Sequence, residues 1–206
     1  MSRSKSSQRW LKEHFSDRFV KQSKEEGYRS RAVYKLMEIQ KRDAVIKPGM
    51  TVIDLGAAPG SWSQLISDWI GEKGQVIALD ILLMPPLPRV DFIQGDFREA
   101  SVFDALLKAA HKQKIDVIVS DIAPNTSGVP SVDQPRAIFL AELSVLLAQK
   151  ILKPGGTLVV KVFQGEGYED FLKLLRTSYH TVNVRKPDAS RDRSREYYLV
   201  AKGFMI

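Results

Sequence analysis

Four aspartates stand where apolar runs end. They are Asp54 in TVIDLG, Asp80 closing QVIALD, Asp96 closing VDFIQGD and Asp121 closing IDVIVSD. Just past the first of them the chain turns bare, as Gly56-Ala57-Ala58-Pro59-Gly60. Carboxylates accept hydrogen bonds from hydroxyls and amides, and a glycine-rich turn lets a ligand press against the backbone. One Asp at a strand exit is often only a helix cap. Four such residues suggest a shared polar ligand instead.

The loop narrows the choice of ligand. It lacks the G-x-G-x-x-G spacing that seats a pyrophosphate on a helix N-terminus, and it is not a G-x-x-x-x-G-K-[ST] phosphate loop. Pro59 removes an amide donor where a phosphate would need one. The ligand expected here leans on the backbone and brings no phosphate. S-adenosylmethionine, with its ribose, adenine and zwitterionic amino acid, is such a ligand. Gly56 and Gly60 would let it approach. Asp80 lies 20 residues beyond Gly60, where an acid accepts from ribose hydroxyls. Asp96, or an amide beside it, is placed to read the adenine amino group. Trp62 would flank the cofactor, the alternative being a core residue.

The elements that must hold these groups follow from periodicity. Strands are expected at 51–55, 75–80, 90–96, 115–121, 157–163, 180–185 and 197–204, with helices near 62–71, 99–112, 134–151 and 167–177. Strands alternating with helices imply βαβ units and a mostly parallel sheet. No helix separates the last two strands, so the final one should run antiparallel. Ligands of such sheets bind at the carboxyl ends of the strands, where the strand order reverses. Ahead of all this, Trp10 to Lys24 reads as a helix, and Ser30 caps a second with Val33, Leu36 and Met37 on one stripe.

Charge divides the chain at the same place. Residues 1–47 hold 13 Lys and Arg against six Asp and Glu, and the remaining 159 residues hold 18 of each. The whole net charge of +7 therefore sits in the first quarter. We expect a basic helical extension over 1–47 and a single α/β domain over 48–206. A localised positive patch fits a polyanionic partner, the alternative being a solvated basic tail. The chain has no cysteine, which rules out a disulfide framework, Cys-ligated zinc and iron–sulfur clusters. A reducing cytoplasm is the simplest location. The first ten residues have no apolar segment resembling a secretory signal.

Beyond these general features, DLGAAPGSWSQ (54–64), SDIAPNTSG (120–128), KVFQGEG (161–167) and KPDASRDRSREYYLVA (186–201) resemble the FtsJ/RrmJ family of ribose 2′-O-methyltransferases. Order and spacing match along nearly the whole chain, including RWLKEHFSD (9–17) and RSRAVYKL (29–36). Ser61 stands where the family's second glycine is expected, and ILLMPPLP (81–88) is more apolar than usual. The resemblance implies a Rossmann-like methyltransferase fold with a seven-stranded sheet and helices on both faces. It implies S-adenosyl-L-methionine as cofactor, bound in part by Asp121. The implied partner is the large ribosomal subunit with its 23S ribosomal RNA, and the implied target is a uridine ribose of the A-loop. A monomer is expected, without membrane contact.

The family's Lys-Asp-Lys-Glu tetrad carries over to Lys35, Asp121, Lys161 and Glu196. The residue types suit the chemistry. A ribose hydroxyl is a poor nucleophile until it loses its proton, and an amine can take that proton once it is itself uncharged. A sulfonium methyl is already activated, so no metal is expected. By helical geometry alone, Lys35 lies roughly 200° from Val33, opposite the apolar stripe, where a solvated face is the plain reading. Arg29, Arg31, Arg191, Arg193 and Arg195, with Arg185 and Lys186, are expected to meet RNA phosphates.

Competing classes lack their signatures. A dinucleotide oxidoreductase would want the three-glycine fingerprint and often a Tyr-x-x-x-Lys pair. A pyrimidine carbon-5 methyltransferase needs a Cys nucleophile. Amino-directed enzymes favour an Asn/Asp-Pro-Pro-aromatic turn, and here Asp121-Ile122-Ala123-Pro124 stands instead. A ribose methyltransferase acting on transfer RNA and a non-catalytic ribosome-assembly factor remain the alternatives.

Overall fold

The computed structural model describes residues 17–110, 115–125, 127–191 and 194–205. The start of the first predicted helix, including Trp10, Leu11 and Phe15, lies outside the described residues. The remainder runs α1 (Arg18–Glu25), α2 (Val33–Asp43), β1 (Thr51–Leu55), α3 (Ser61–Ile70), β2 (Gln75–Asp80) and β3 (Val90–Gln94). It continues α4 (Ala100–Ala110), β4 (Ile115–Ser120), α5 (Pro130–Ile151), β5 (Leu152–Phe163), α6 (Tyr168–Ser178), β6 (Tyr179–Arg185) and β7 (Glu196–Phe204).

The strands form one seven-stranded sheet in the order β3-β2-β1-β4-β5-β7-β6. β3, β2, β1, β4 and β5 are parallel, and β7 runs antiparallel between β5 and β6. The order reverses between β1 and β4, which opens a crevice at their carboxyl ends. The expected antiparallel last strand is present. Its insertion beside β5 could not be read from the linear order. That insertion pairs Lys161 with Tyr198 and Phe163 with Glu196.

Both faces of the sheet are covered, so the central strands are near-continuous apolar runs. Ile53, Leu55, Ile77, Ile118, Leu158 and Leu199 meet one core with α4, α5 and α6. Val52, Val76, Val117, Val159, Tyr198 and Val200 meet the other with α2 and α3. The period of two sorts each strand between these cores. The same alternation sends Asp54, Asp121, Lys161 and Glu196 to the α2–α3 face.

Helix α2 is part of that core. Val33, Leu36 and Ile39 are fully buried against the cluster that holds Trp62 and Leu65. Burying each is worth roughly 1.5–3 kcal/mol as an upper bound. The boundary at residue 47 is therefore one of charge, and packing runs across it.

Helix α5 begins four residues earlier than periodicity suggests. Pro130 opens its first turn, a position where no intrahelical N–H is needed. Asp133 accepts from the amides of Ser127 and Gly128 at 2.8 and 3.0 Å, which secures the incoming chain.

Candidate active site

The four tetrad residues come from four elements and converge at the carboxyl edge. Lys161, near the end of β5, lies 3.0 Å from Asp121 Oδ1. Its Nζ also donates to the Asp121 carbonyl at 2.5 Å. Lys35 of α2 lies 2.7 Å from Glu196 Oε1 at the start of β7. Only 13% of the Lys35 side chain is exposed, so the plain reading of a solvated face is overturned. The stripe of α2 packs on the sheet, and its flank meets β7.

Tyr198 joins the two ion pairs, and sequence reasoning missed it. Its hydroxyl donates to Asp121 Oδ1 at 2.5 Å, and the Lys35 ammonium sits 5.7 Å from its ring centroid. The ring is fully buried beside Trp62. The available signal was its position two residues after Glu196, on the same face of one strand.

Burial alone would raise both carboxyl groups. Against it, the charges of Lys161 and Lys35 and the Tyr198 hydrogen bond hold Asp121 below the usual carboxylate range. Glu196 is lowered in the same way, chiefly by the charge and hydrogen bond of Lys35. Desolvation pushes the Tyr198 phenol well above its ordinary value, and Asp121 and Glu196 add to it.

Asp121 also lines a cleft of about 590 Å³, with Gly56, Ala58, Asp80 and Asp96. Gly56 has φ of +79°, and a Cβ there would stand 2.8 Å from Ile122 Cγ1. Only glycine fits that approach. Asp80 accepts from the amides of Ala58 and Leu82 at 2.9 and 2.8 Å. One carboxylate thus ties the loop after β1 to the loop after β2. Asp96 is gripped by Arg98 through Nε at 2.9 Å and Nη2 at 2.5 Å. Those hydrogen bonds outweigh partial burial and lower its carboxyl. Ile81, Leu82 and Phe97 supply apolar lining, and Arg136 and Phe139 of α5 line the cleft as well.

Several predicted site residues lie elsewhere. Trp62 is 2% exposed, donates through Nε1 to the Ala32 carbonyl at 2.7 Å and belongs to the core. It does not flank the cleft, because the first turn of α3 points it at α2. Gly60 is also outside the cleft lining. Its φ is +105°, and its bare face lies against the Arg29 guanidinium. Arg29 donates to the carbonyls of Pro59, Pro85 and Pro86 at 3.2, 2.7 and 3.1 Å. Arg31 pairs with Asp17 and donates to the Ala189 carbonyl. Arg185 grips the buried Asp43, and Lys186 donates to the Ser194 carbonyl. Each of these four cations already has a protein acceptor, so none of them stands as a free charge. Arg195 is exposed and Arg191 half-buried. Arg193 lies outside the described residues.

Comparison with known proteins gives the same picture. A sequence model described as FtsJ-like methyltransferase matches residues 28–204. The chain is 56% identical over 204 residues to Ribosomal RNA large subunit methyltransferase E of Pseudomonas paraeruginosa and to its counterpart in Pseudomonas aeruginosa, covering 99% of each chain in both pairs. A putative ribosomal RNA methyltransferase from Plasmodium falciparum is 31% identical with a TM-score of 0.75, over 86% of this chain and 98% of that one. Aeropyrum pernix fibrillarin, solved with natively bound S-adenosyl-L-methionine, shares the fold at 17% identity and a TM-score of 0.55, over 82% of this chain and 75% of its own. With a match that spans both the cleft and the converging side chains, the chain belongs to the FtsJ-like methyltransferase family.

Proposed function

We propose that this protein methylates a ribose 2′-hydroxyl in large-subunit ribosomal RNA, at a uridine of the 23S A-loop, with the assembled subunit as substrate. The observation that carries the reading is the position of Asp121. It lines the cleft and also holds Lys161, so the methyl donor and the base meet at one residue.

The cleft suits S-adenosylmethionine, the cofactor of the family. Its volume falls in the ordinary range for small-ligand sites. Each Asp80 oxygen already accepts one backbone N–H and keeps a lone pair for a ribose hydroxyl. Gly56 and Ala58 offer a side-chain-poor floor, and Ile81, Leu82 and Phe97 offer apolar contact for a flat ring. When bound, the cofactor supplies a methyl group activated by its sulfonium, a chemistry that needs no metal.

The chain's own residues then have two tasks, alignment and proton removal. Alignment of reacting groups is worth up to about 7–11 kcal/mol in good intramolecular cases. Lys161, in its uncharged form, takes the proton of the ribose hydroxyl onto Nζ. An uncharged amine has two N–H groups and one lone pair. Asp121 offers Nζ two acceptors, its carboxylate and its carbonyl, so the lone pair is left for the hydroxyl. Lys35 and Glu196 form the flank on which the ribose rests, and Tyr198 holds the shared Asp121 oxygen. Exposed Arg195, with Arg191 and Arg193, supplies phosphate contacts. All these groups lie on one chain, so a monomer suffices, and a ribosomal substrate implies action in the cytoplasm.

Incubation with labelled cofactor and large subunits lacking the modification, followed by mass-spectrometric mapping, tests the reading. The expected product is one methyl on an A-loop uridine ribose. Methylation of a base, or of transfer RNA in preference to subunits, overturns it. Absence of any transfer would instead favour an assembly factor that only binds RNA.

A further inference from the structure

The segment between α1 and α2 is knitted to the first turn of α3. Gln64 Nε2 donates to the Gly27 carbonyl at 3.1 Å, and the Ser30 and Ser61 hydroxyls lie 2.7 Å apart. The serine that replaces the family's expected glycine is thus matched by a hydroxyl. At the centre of this seam lies Arg29. Its guanidinium collects one carbonyl from the loop after β1, Pro59, and two from the loop after β2, Pro85 and Pro86.

The arrangement is specific to its residue types. The stretch 81–88 contains three prolines and forms no helix or strand. Its prolines have no N–H to offer a neighbour, which limits how the loop can brace itself. A planar guanidinium with five donors spans carbonyls from two directions, whereas an ammonium on a flexible stem does not hold them in one plane. Gly60 makes room for it: a Cβ there would stand 2.6 Å from Arg29 Nη1. Both loops also wall the cleft, through Ala58 on one and Ile81 and Leu82 on the other. Asp80 ties them from inside the cleft, and Arg29 ties them from behind.

We propose that Arg29 is a positioning residue for the cofactor, a clasp that sets the separation of the two cleft loops, and that its loss is felt in cofactor affinity before RNA affinity. The inference rests on S-adenosylmethionine occupying this cleft. It reverses the role in RNA binding that the basic character of the N-terminal segment suggests.

The test is calorimetric titration of S-adenosylhomocysteine into the full chain without RNA, for wild type, Arg29→Ala and Arg29→Lys. Steady-state KM values for cofactor and for subunits accompany it. Arg29→Ala is expected to weaken the titrated ligand about tenfold or more, the scale of one lost charge-assisted hydrogen bond. Cofactor KM should rise in parallel, with subunit KM within twofold of wild type. Arg29→Lys should recover little, because a point charge does not replace the fork. If Arg29→Ala fails to fold by circular dichroism, the lysine variant decides alone. Ligand affinity within twofold of wild type in the folded variants overturns the clasp, as does full rescue by lysine. A subunit KM that rises while ligand affinity holds also overturns it, and returns Arg29 to phosphate binding. Failure of the wild-type protein to bind the ligand would instead sink the cofactor reading itself.

Discussion

The two halves of the carboxyl edge use the same residue type for different work. On the β1–β2–β3 side, carboxylates brace the backbone. Asp80 holds amides from two loops, and Asp96 holds Arg98 and its amide. On the β4–β5–β7 side, carboxylates hold ammonium groups, in the pairs Asp121–Lys161 and Lys35–Glu196. The first half is built to keep loops still around a ligand. The second keeps charged side chains in one mutual geometry. Asp121 is the residue common to both. Substitutions on the first side should therefore move cofactor affinity, and those on the second should move turnover.

Lys161→Ala gives the largest expected effect and the clearest break. On the base role proposed for Lys161, its removal should lower kcat by roughly 10²–10⁴, with S-adenosylhomocysteine affinity within a few-fold of wild type. Single-turnover methylation and calorimetry check the two halves separately. Turnover near normal would remove Lys161 as base and leave the Asp121 pair as a structural contact. On the other side, Asp80→Asn removes an acceptor facing a backbone N–H. A lost charge-assisted bond of about 1.5–3 kcal/mol corresponds to a roughly 10–100-fold weaker ligand, with kcat at saturation largely kept. If kcat fell and affinity held, the division of labour between the halves would be wrong.

Tyr198→Phe sharpens the comparison at its seam. The ring and its packing on Trp62 remain, and only the hydroxyl that donates to Asp121 Oδ1 is lost. We expect a several-fold fall in kcat, about 1–2 kcal/mol at most, and unchanged cofactor affinity. An equal fall in affinity would show that Tyr198 serves the cleft side of Asp121.

What could be read in advance follows the same divide. The cleft half was legible as strand exits, a bare turn and spaced aspartates, because strand period and glycine conformation are local properties. The other half depends on docking. Helical geometry alone turned Lys35 toward solvent, since a wheel cannot show that β7 flanks α2. Tyr198 became a site residue only through the placement of β7 next to β5. Trp62 lies in the core and Arg29 on loop carbonyls for one reason: the Gly27–Ala32 segment docks on the first turn of α3. That contact draws the indole nitrogen to the Ala32 carbonyl and the guanidinium to Pro59, Pro85 and Pro86.

The smallest effect concerns stability, and it sets Asp54 apart from Asp121 and Glu196 by the sign of its pH dependence. Asp54 is fully buried under the first loop, where Ser63 Oγ donates to one oxygen at 2.6 Å and the other has no partner among the described residues. Burial, opposed by Ser63 and aided by the charges of Asp121 and Asp80, pushes its carboxyl up to about 7 from 3.8. The folded state therefore keeps a proton that the unfolded chain gives up earlier. Stability from this group is fully present below about pH 4 and is lost as pH rises toward 7. Asp121 and Glu196 are lowered instead, so their contribution is present above the ordinary carboxylate range and is lost as pH falls. Asp54→Asn keeps an acceptor for Ser63 and removes the titration. Its unfolding free energy relative to wild type should grow by roughly 1–3 kcal/mol between pH 5 and pH 8. Urea melts at those two values measure it. A difference that stays flat, or shrinks, would mean that Asp54 is ionised across the range.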